Sequence, residues 1–200
     1  MGKKIITVSR EFGSGGRSIA KLIAQRLGYA YCDNSVIAGV AKEHGLSEVF
    51  VKEYGEYAIS KNPFALNLSI GGINRYDAGL SIYDQLFIFQ HVYITDLAEK
   101  EPCVIVGRCA DFILQERTDS LHVFFYADID FRVNRLANSM GEKFANPENH
   151  LKEMDKRRKT YYRHYTGRRW GEAKNYHLCL HTGVVGIERC ADIVVELAQQ

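Results

Sequence analysis

Ten residues near the amino end, Ser9-Arg10-Glu11-Phe12-Gly13-Ser14-Gly15-Gly16-Arg17-Ser18, combine the groups needed to hold a phosphate. Glycines let the backbone curl so that successive N–H groups face one anion, and a helix starting there adds the positive end of its dipole. Gly13, Ser14, Gly15 and Gly16 are therefore candidate phosphate-binding residues, with Arg17 as a cation on the phosphates and Ser18 as a hydroxyl ligand for Mg²⁺. Against the pattern G-x-x-x-x-G-K-[ST], Gly16 and Ser18 agree, whereas Glu11 stands at the first glycine and Arg17 at the lysine. Arg17 keeps the positive charge but presents a planar fork instead of a point charge. Phosphoryl transfer rests on positioning and charge neutralisation, so a displaced cation would weaken transfer more than binding. A plain glycine-rich turn from strand to helix is the other use of the same residues.

The elements around this turn supply the required context. Residues 5–8 form a β-branched run, and Ile19, Leu22, Ile23 and Leu27 follow at helical spacing, which gives strand, loop, helix. Short strands are expected at 29–32, 103–106, 121–126 and 177–180, and helices at about 36–44, 46–57, 81–100, 130–139 and 187–197. A further, very basic helix is expected to open at Asn146-Pro147-Glu148, with Asn as cap and Pro in the first position. The runs 103–106 and 121–126 are apolar on both faces, as strands buried in a parallel sheet are. Alternation of strand and helix predicts a doubly wound α/β domain whose ligands bind at the carboxyl ends of the strands. Arg10, Asp33, Gly107-Arg108, Asp128 and Thr182 all fall at or just beyond such ends.

The remaining candidates divide between site and scaffold. Arg132 and Arg135, three residues apart, could help to neutralise phosphate charge, although exposed arginines at that spacing are more often surface pairs, here with Asp128 or Asp130. Tyr161, Tyr162, Tyr165 and Trp170 could stack a base, although aromatics at helical spacing more often pack a helix onto a core. The seven histidines show neither metal spacing nor a nucleophile's partner arrangement and read as structural.

Composition bounds the function classes. At 200 residues, 46% apolar and 25% charged, the chain fits one globular domain spanning 1–200. A formal net charge of +2 gives no reason to expect nonspecific binding to nucleic acid or an anionic membrane. No run reaches the 18 or so apolar residues of a membrane span. Cys32, Cys103, Cys109, Cys179 and Cys190 are odd in number and scattered, which suits a reducing cytoplasm better than a disulfide framework or a zinc site.

The opening Ile-Thr-Val-Ser-Arg-Glu-Phe-Gly-Ser-Gly-Gly, the segment 105–114 and the tail from Tyr161-Tyr162 to Tyr176-His177-Leu178 resemble the cytidylate kinase-like family, within the nucleoside monophosphate kinase group. The resemblance implies a P-loop NTPase fold: a five-stranded parallel sheet with helices on both faces, an acceptor-binding insertion at about 46–80 and a lid at about 141–176. It implies transfer from ATP, with Mg²⁺, to CMP or dCMP. Asp33 would then touch the acceptor or organise Mg²⁺ through water, although Asn34-Ser35 departs from the bacterial motif that follows such an aspartate. Gly107-Arg108 matches the Gly-Arg of the family's Asp-Gly-Arg-Asp segment, with Val106 in place of the first acidic residue, and Arg108 would hold the acceptor's phosphate or base. Arg158 and Arg163 match the arginine-rich lid helix and would, with Arg17 and Arg108, neutralise charge in the transition state. Thr182-Gly183 lies where this fold rests the adenine of ATP.

Three function classes stay open. The first is a kinase of CMP, dCMP or another small acceptor; the second is a nucleotide-binding regulator whose transfer is weakened by Arg17 and Glu11. The third is an interaction module using the aromatic-rich stretch 54–83, which would serve equally as a contact between two copies of the chain in a homodimer.

Overall fold

The computed structural model describes residues 2–33, 82–139 and 145–200. The helices expected at 36–44 and 46–57, the insertion at 46–80 and Asn34-Ser35 lie outside the described residues.

The first strand, β1 (Ile5–Arg10), is buried at every position. It is followed by α1 (Gly16–Leu27), β2 (Ala30–Cys32), α2 (Ile82–Lys100), β3 (Cys103–Val106), the short α3 (Ala110–Ile113) and β4 (Ser120–Tyr126). Then come α4 (Ile129–Ser139), α5 (Pro147–Thr166), a 3₁₀ turn at Ala173–Asn175, β5 (Leu178–His181), the short α6 (Thr182–Val185) and α7 (Ile187–Gln199). The five strands are all parallel, in the order β2-β3-β1-β4-β5. Helix α5 begins as the sequence directs: the Asn146 side chain accepts the Asn149 N–H at 3.1 Å, and Pro147 fills the first helical position.

Strand alternation builds two cores. Ile6 and Val8 of β1 join Val104, Val106, Val123 and Phe125 under α1 and α7, while Ile5 joins Cys103 and Ile105 under α2 and α3. A third cluster seats α5 on the molecule: Tyr161 and Tyr162 are buried against Cys109, and Phe87 of α2 stacks on Tyr165 with centroids 4.0 Å apart. The late aromatics thus pack a helix, the structural one of their two readings. Strand β5 is assigned one residue later than expected, although the N–H of His177 already bonds to the His122 carbonyl of β4 at 2.8 Å. All five cysteines are free thiols, and no helix among the described residues is long and apolar enough to cross a membrane.

Register decides where a site can form. Val8 of β1 pairs with Val106, the last residue of β3, so Ser9 and Arg10 run on beyond the end of that neighbour while still paired with Phe124 and Phe125 of β4. The chain leaves β1 and β3 side by side, and their two following turns face one another.

Candidate active site

The turn after β1 is held from below by backbone and side-chain bonds. Glu11 N–H donates to the Phe125 carbonyl at 2.9 Å, and the hydroxyl of Ser14, itself fully buried, donates to the Glu11 carbonyl at 2.8 Å. Gly13 and Gly15 take positive φ, 79° and 90°, and Gly15 caps α1. A β carbon on Gly15 would collide with Ile187 at 2.3 Å, and one on Gly13 would crowd Arg132 and Leu151 at 3.1 Å, in a backbone conformation that favours glycine. Glu11, at the first-glycine position of the phosphate-loop pattern, is not among the positive-φ residues and so needs no glycine. Its carboxylate accepts the Ala127 N–H at 3.2 Å and faces Arg132 at 3.6 Å, and burial raises its pKa.

Three further ties reach the loop from elsewhere in the chain. Arg17 is bonded at 2.5 Å to Asp33 at the end of β2, a carboxylate that also accepts the Tyr31 hydroxyl at 3.1 Å. Arg135 of α4 donates to the Ser18 hydroxyl at 2.8 Å. Asp155 of α5 accepts the Phe12 N–H at 2.8 Å and Arg132 at 2.5 Å.

On the β3 side, Gly107, Arg108 and Cys109 all take left-handed conformations, φ 77°, 61° and 56°. Among the described residues Arg108 and Cys109 are the non-glycine positions with positive φ, a conformation costing on the order of 1–3 kcal/mol each. The turn delivers the Arg108 side chain, 2% exposed, to a narrow cavity lined also by Arg10, Arg158 and Trp170. Arg158 crosses from α5 and donates to the Arg10 carbonyl at 2.9 Å.

Asp111 lies behind this cavity. Its carboxyl accepts the Tyr162 hydroxyl at 2.6 Å and the Ser9 hydroxyl at 3.4 Å, and burial pushes its pKa up to about 6. A carboxyl raised in the folded state binds its proton more tightly there than in the unfolded chain. Its contribution is fully present below the ordinary value of 3.8 and is lost as pH rises to about 6. Asp111→Asn should therefore remove a decline in stability between those pH values, measured by chemical denaturation at a series of pH. Identical profiles for the two proteins would show that Asp111 does not titrate in that window.

A family model described as the cytidylate kinase-like family matches residues 5–184, a span that contains the loop, the Gly107-Arg108 turn and α5. The chain belongs to the cytidylate kinase-like family. No curated protein matches it. Among solved structures, an uncharacterized protein from Eubacterium ventriosum ATCC 27560 is 27% identical, with 96% of each chain covered and a TM-score of 0.72. A gluconokinase from Sinorhizobium meliloti 1021 is 15% identical over 96% of this chain and 92% of its own, at a TM-score of 0.54. The shikimate kinase from Acinetobacter baumannii in complex with shikimate is 15% identical over 96% and 91%, at 0.53. The fold is accordingly the α/β P-loop NTPase fold, and in this cytidylate kinase-like chain the glycine-rich turn after β1 lies within the matched residues 5–184.

Within that frame the candidate residues separate. Gly13, Ser14, Gly15, Gly16, Arg17 and Ser18 lie together in the loop, and Arg108 and Arg158 share the adjoining cavity. Arg163 is apart from them, exposed on the last turn of α5. Thr182 is fully buried, and its hydroxyl donates to the Ser14 carbonyl at 2.7 Å, so it braces the loop from beneath. Arg132 is corrected from a surface residue to a buried one, paired with Asp155 and Glu11 rather than Asp128 or Asp130. Arg135 likewise turns to Ser18. Of the histidines, His122 is buried between the hydroxyls of Thr7 and Ser120 at 2.8 and 3.1 Å, and burial lowers its pKa to about 4, so it is a neutral structural group. Among the described residues no group of three or more His, Cys, Asp or Glu could hold a metal ion.

Proposed function

We propose that this protein transfers the γ-phosphoryl group of ATP, with Mg²⁺, to a small acceptor, and that the acceptor is CMP or dCMP. The observation that carries the reading is the junction at the end of β1: Ser9 and Arg10 lead directly into the phosphate loop and also line the cavity that holds Arg108 and Arg158. A donor phosphate on the loop and an acceptor in the cavity would be neighbours, and proximity of this kind is most of what phosphoryl transfer needs.

The loop fits the donor. Glycines at 13, 15 and 16 sit where a β carbon would collide, leaving backbone N–H groups free of side-chain cover at the start of α1. Mg²⁺ would be held by the Ser18 hydroxyl together with the phosphates themselves, and when bound it neutralises phosphate charge. Ser18 must then give up its bond to Arg135, whose freed guanidinium stays beside the loop as a further cation. Arg108 and Arg158 would neutralise and orient the group in transit, α5 would serve as the lid helix, with Arg163 at its exposed end, and Asp33 would meet the acceptor.

The Arg17–Asp33 pair favours a second reading, a nucleotide-binding regulator. Arg17 stands at the lysine position of the loop, yet its guanidinium is engaged by a carboxylate. Production of ADP from ATP and Mg²⁺, measured with CMP, dCMP, UMP, AMP, GMP, shikimate and water as acceptors, separates the two. Turnover with CMP or dCMP supports the kinase; nucleotide binding without turnover supports the regulator. In the kinase, Ser18→Ala should lower Mg²⁺-dependent turnover by about a hundredfold with little change in melting temperature. Undiminished turnover would remove Ser18 from the site.

A further inference from the structure

Arg10 has no role in the assignments above, yet its position is specific. It ends β1, is 7% exposed, and lines the same cavity as Arg108 and Arg158, which are 2% and 6% exposed. A β carbon on Gly16, the residue that opens α1, would lie 2.6 Å from Arg10 Cβ and 2.9 Å from its Cγ. The side chain of Arg10 therefore crosses directly over the first residue of α1, between the phosphate loop and the cavity. The loop's third glycine is there to let it pass. Arg10's own carbonyl accepts the Arg158 guanidinium at 2.9 Å, so the positions of these two arginines are coupled.

Three arginines, each more than nine-tenths buried, line one space beside the glycine-rich turn. A tetrahedral phosphate dianion suits such a lining, because it accepts charge-assisted bonds from several planar donors at once. We propose that Arg10 is a phosphate-binding residue, and that with Arg108 and Arg158 it forms one anion site at the carboxyl end of β1, beside the phosphate loop. This rests on the phosphotransferase reading for its setting and extends it by adding Arg10 to the residues that touch the phosphate. The dianion is either the acceptor's own phosphate or the γ-phosphoryl group of ATP; the chemistry recognised is the same.

The chain's single tryptophan, Trp170, lines the cavity and reports on its contents. Its emission should respond to inorganic phosphate in the unmodified protein, and Arg10→Gln should weaken that response by about ten- to a hundredfold in affinity. Arg189→Gln, which removes an arginine from the exposed face of α7, should leave it unchanged. Titration with CMP against cytidine, and with a non-hydrolysable ATP analogue, tells which dianion occupies the site: the arm most weakened by Arg10→Gln is the source. Phosphate affinity of folded Arg10→Gln within about threefold of the unmodified protein would overturn the proposal, as would the absence of any phosphate response. Should Arg10→Gln fail to fold, Arg10→Lys keeps charge and stem without the fork; a loss of about tenfold is expected, and unchanged affinity would overturn the assignment. Arg10-dependent phosphate binding without turnover of any acceptor would sink the kinase reading and leave the anion site standing. Turnover that survives Arg10→Gln undiminished would do the reverse.

Discussion

Replacing Asp155 by alanine is expected to lower stability by about 3–5 kcal/mol, a large share of the 5–15 kcal/mol that typically holds a domain together. Asp155 and Arg132 are 5% and 7% exposed and bonded at 2.5 Å. Between them they hold both backbone groups of Phe12, whose N–H donates to Asp155 at 2.8 Å and whose carbonyl accepts Arg132 at 3.3 Å. Among the described residues, alanine would leave a buried guanidinium with the more distant Glu11, at 3.6 Å, as its carboxylate partner, and would leave the Phe12 N–H without its acceptor. Because the pair joins α4 and α5 to the phosphate loop, ATP affinity should fall along with stability. Urea denaturation measures the first effect. The double variant Arg132→Met/Asp155→Leu should recover only part of the loss, since apolar side chains replace a buried ion pair at little cost but leave both backbone groups of Phe12 without these partners. A loss below about 1 kcal/mol for Asp155→Ala would mean that the pair behaves as a surface salt bridge.

That pair also shows what the sequence could and could not disclose. The strands 103–106 and 121–126 were legible because a parallel strand covered on both faces must be apolar throughout, and α5 because Asn146-Pro147 states its start. The unit of strand, glycine-rich turn and helix was legible because glycines between a β-branched run and residues at helical spacing mark a tight turn into a helix start. Burial of Arg132 was not, because it depends on α5 folding over α4, and the carboxylate that decides it lies 23 residues further on. The place of Thr182 just past β5 was legible, whereas the bond of its hydroxyl to the Ser14 carbonyl, 168 residues back along the chain, was not. For Arg163 the geometry was in fact available. The buried stripe of α5 comprises Leu151, Asp155, Arg158, Tyr161 and Tyr162, spaced three and four residues apart along one face. Five residues beyond Arg158, Arg163 is rotated by roughly 140° from it and so leaves the stripe. Arg10 was legible only by its place at a strand's carboxyl end, where ligands bind; its burial was not, since register alone shows that β1 outruns β3 and keeps Arg10 inside.

The other large effect should come from Arg108. Gly107, Arg108 and Cys109 occupy consecutive left-handed conformations, and a glycine or asparagine would meet that backbone demand at 108 more cheaply than arginine does. The position nonetheless carries a side chain that is 2% exposed and whose charge must be kept out of water. Strain and desolvation at one residue are tolerated where the side chain works on a ligand. Arg108→Gln should accordingly reduce kcat/KM by about 10²–10³-fold, with Arg108→Lys intermediate because it keeps charge without the fork. The loss should divide unequally. If Arg108 holds the acceptor, the acceptor's KM rises and kcat falls while the affinity for ATP, set by the loop, stays within about threefold. Equal loss of ATP binding would move Arg108 to the donor side. Activity within about threefold of the unmodified protein, with the fold intact, would make Arg108 a structural arginine. Stability that holds or rises in the glutamine variant while turnover collapses would mean that the buried charge had been retained for chemistry at the expense of the fold.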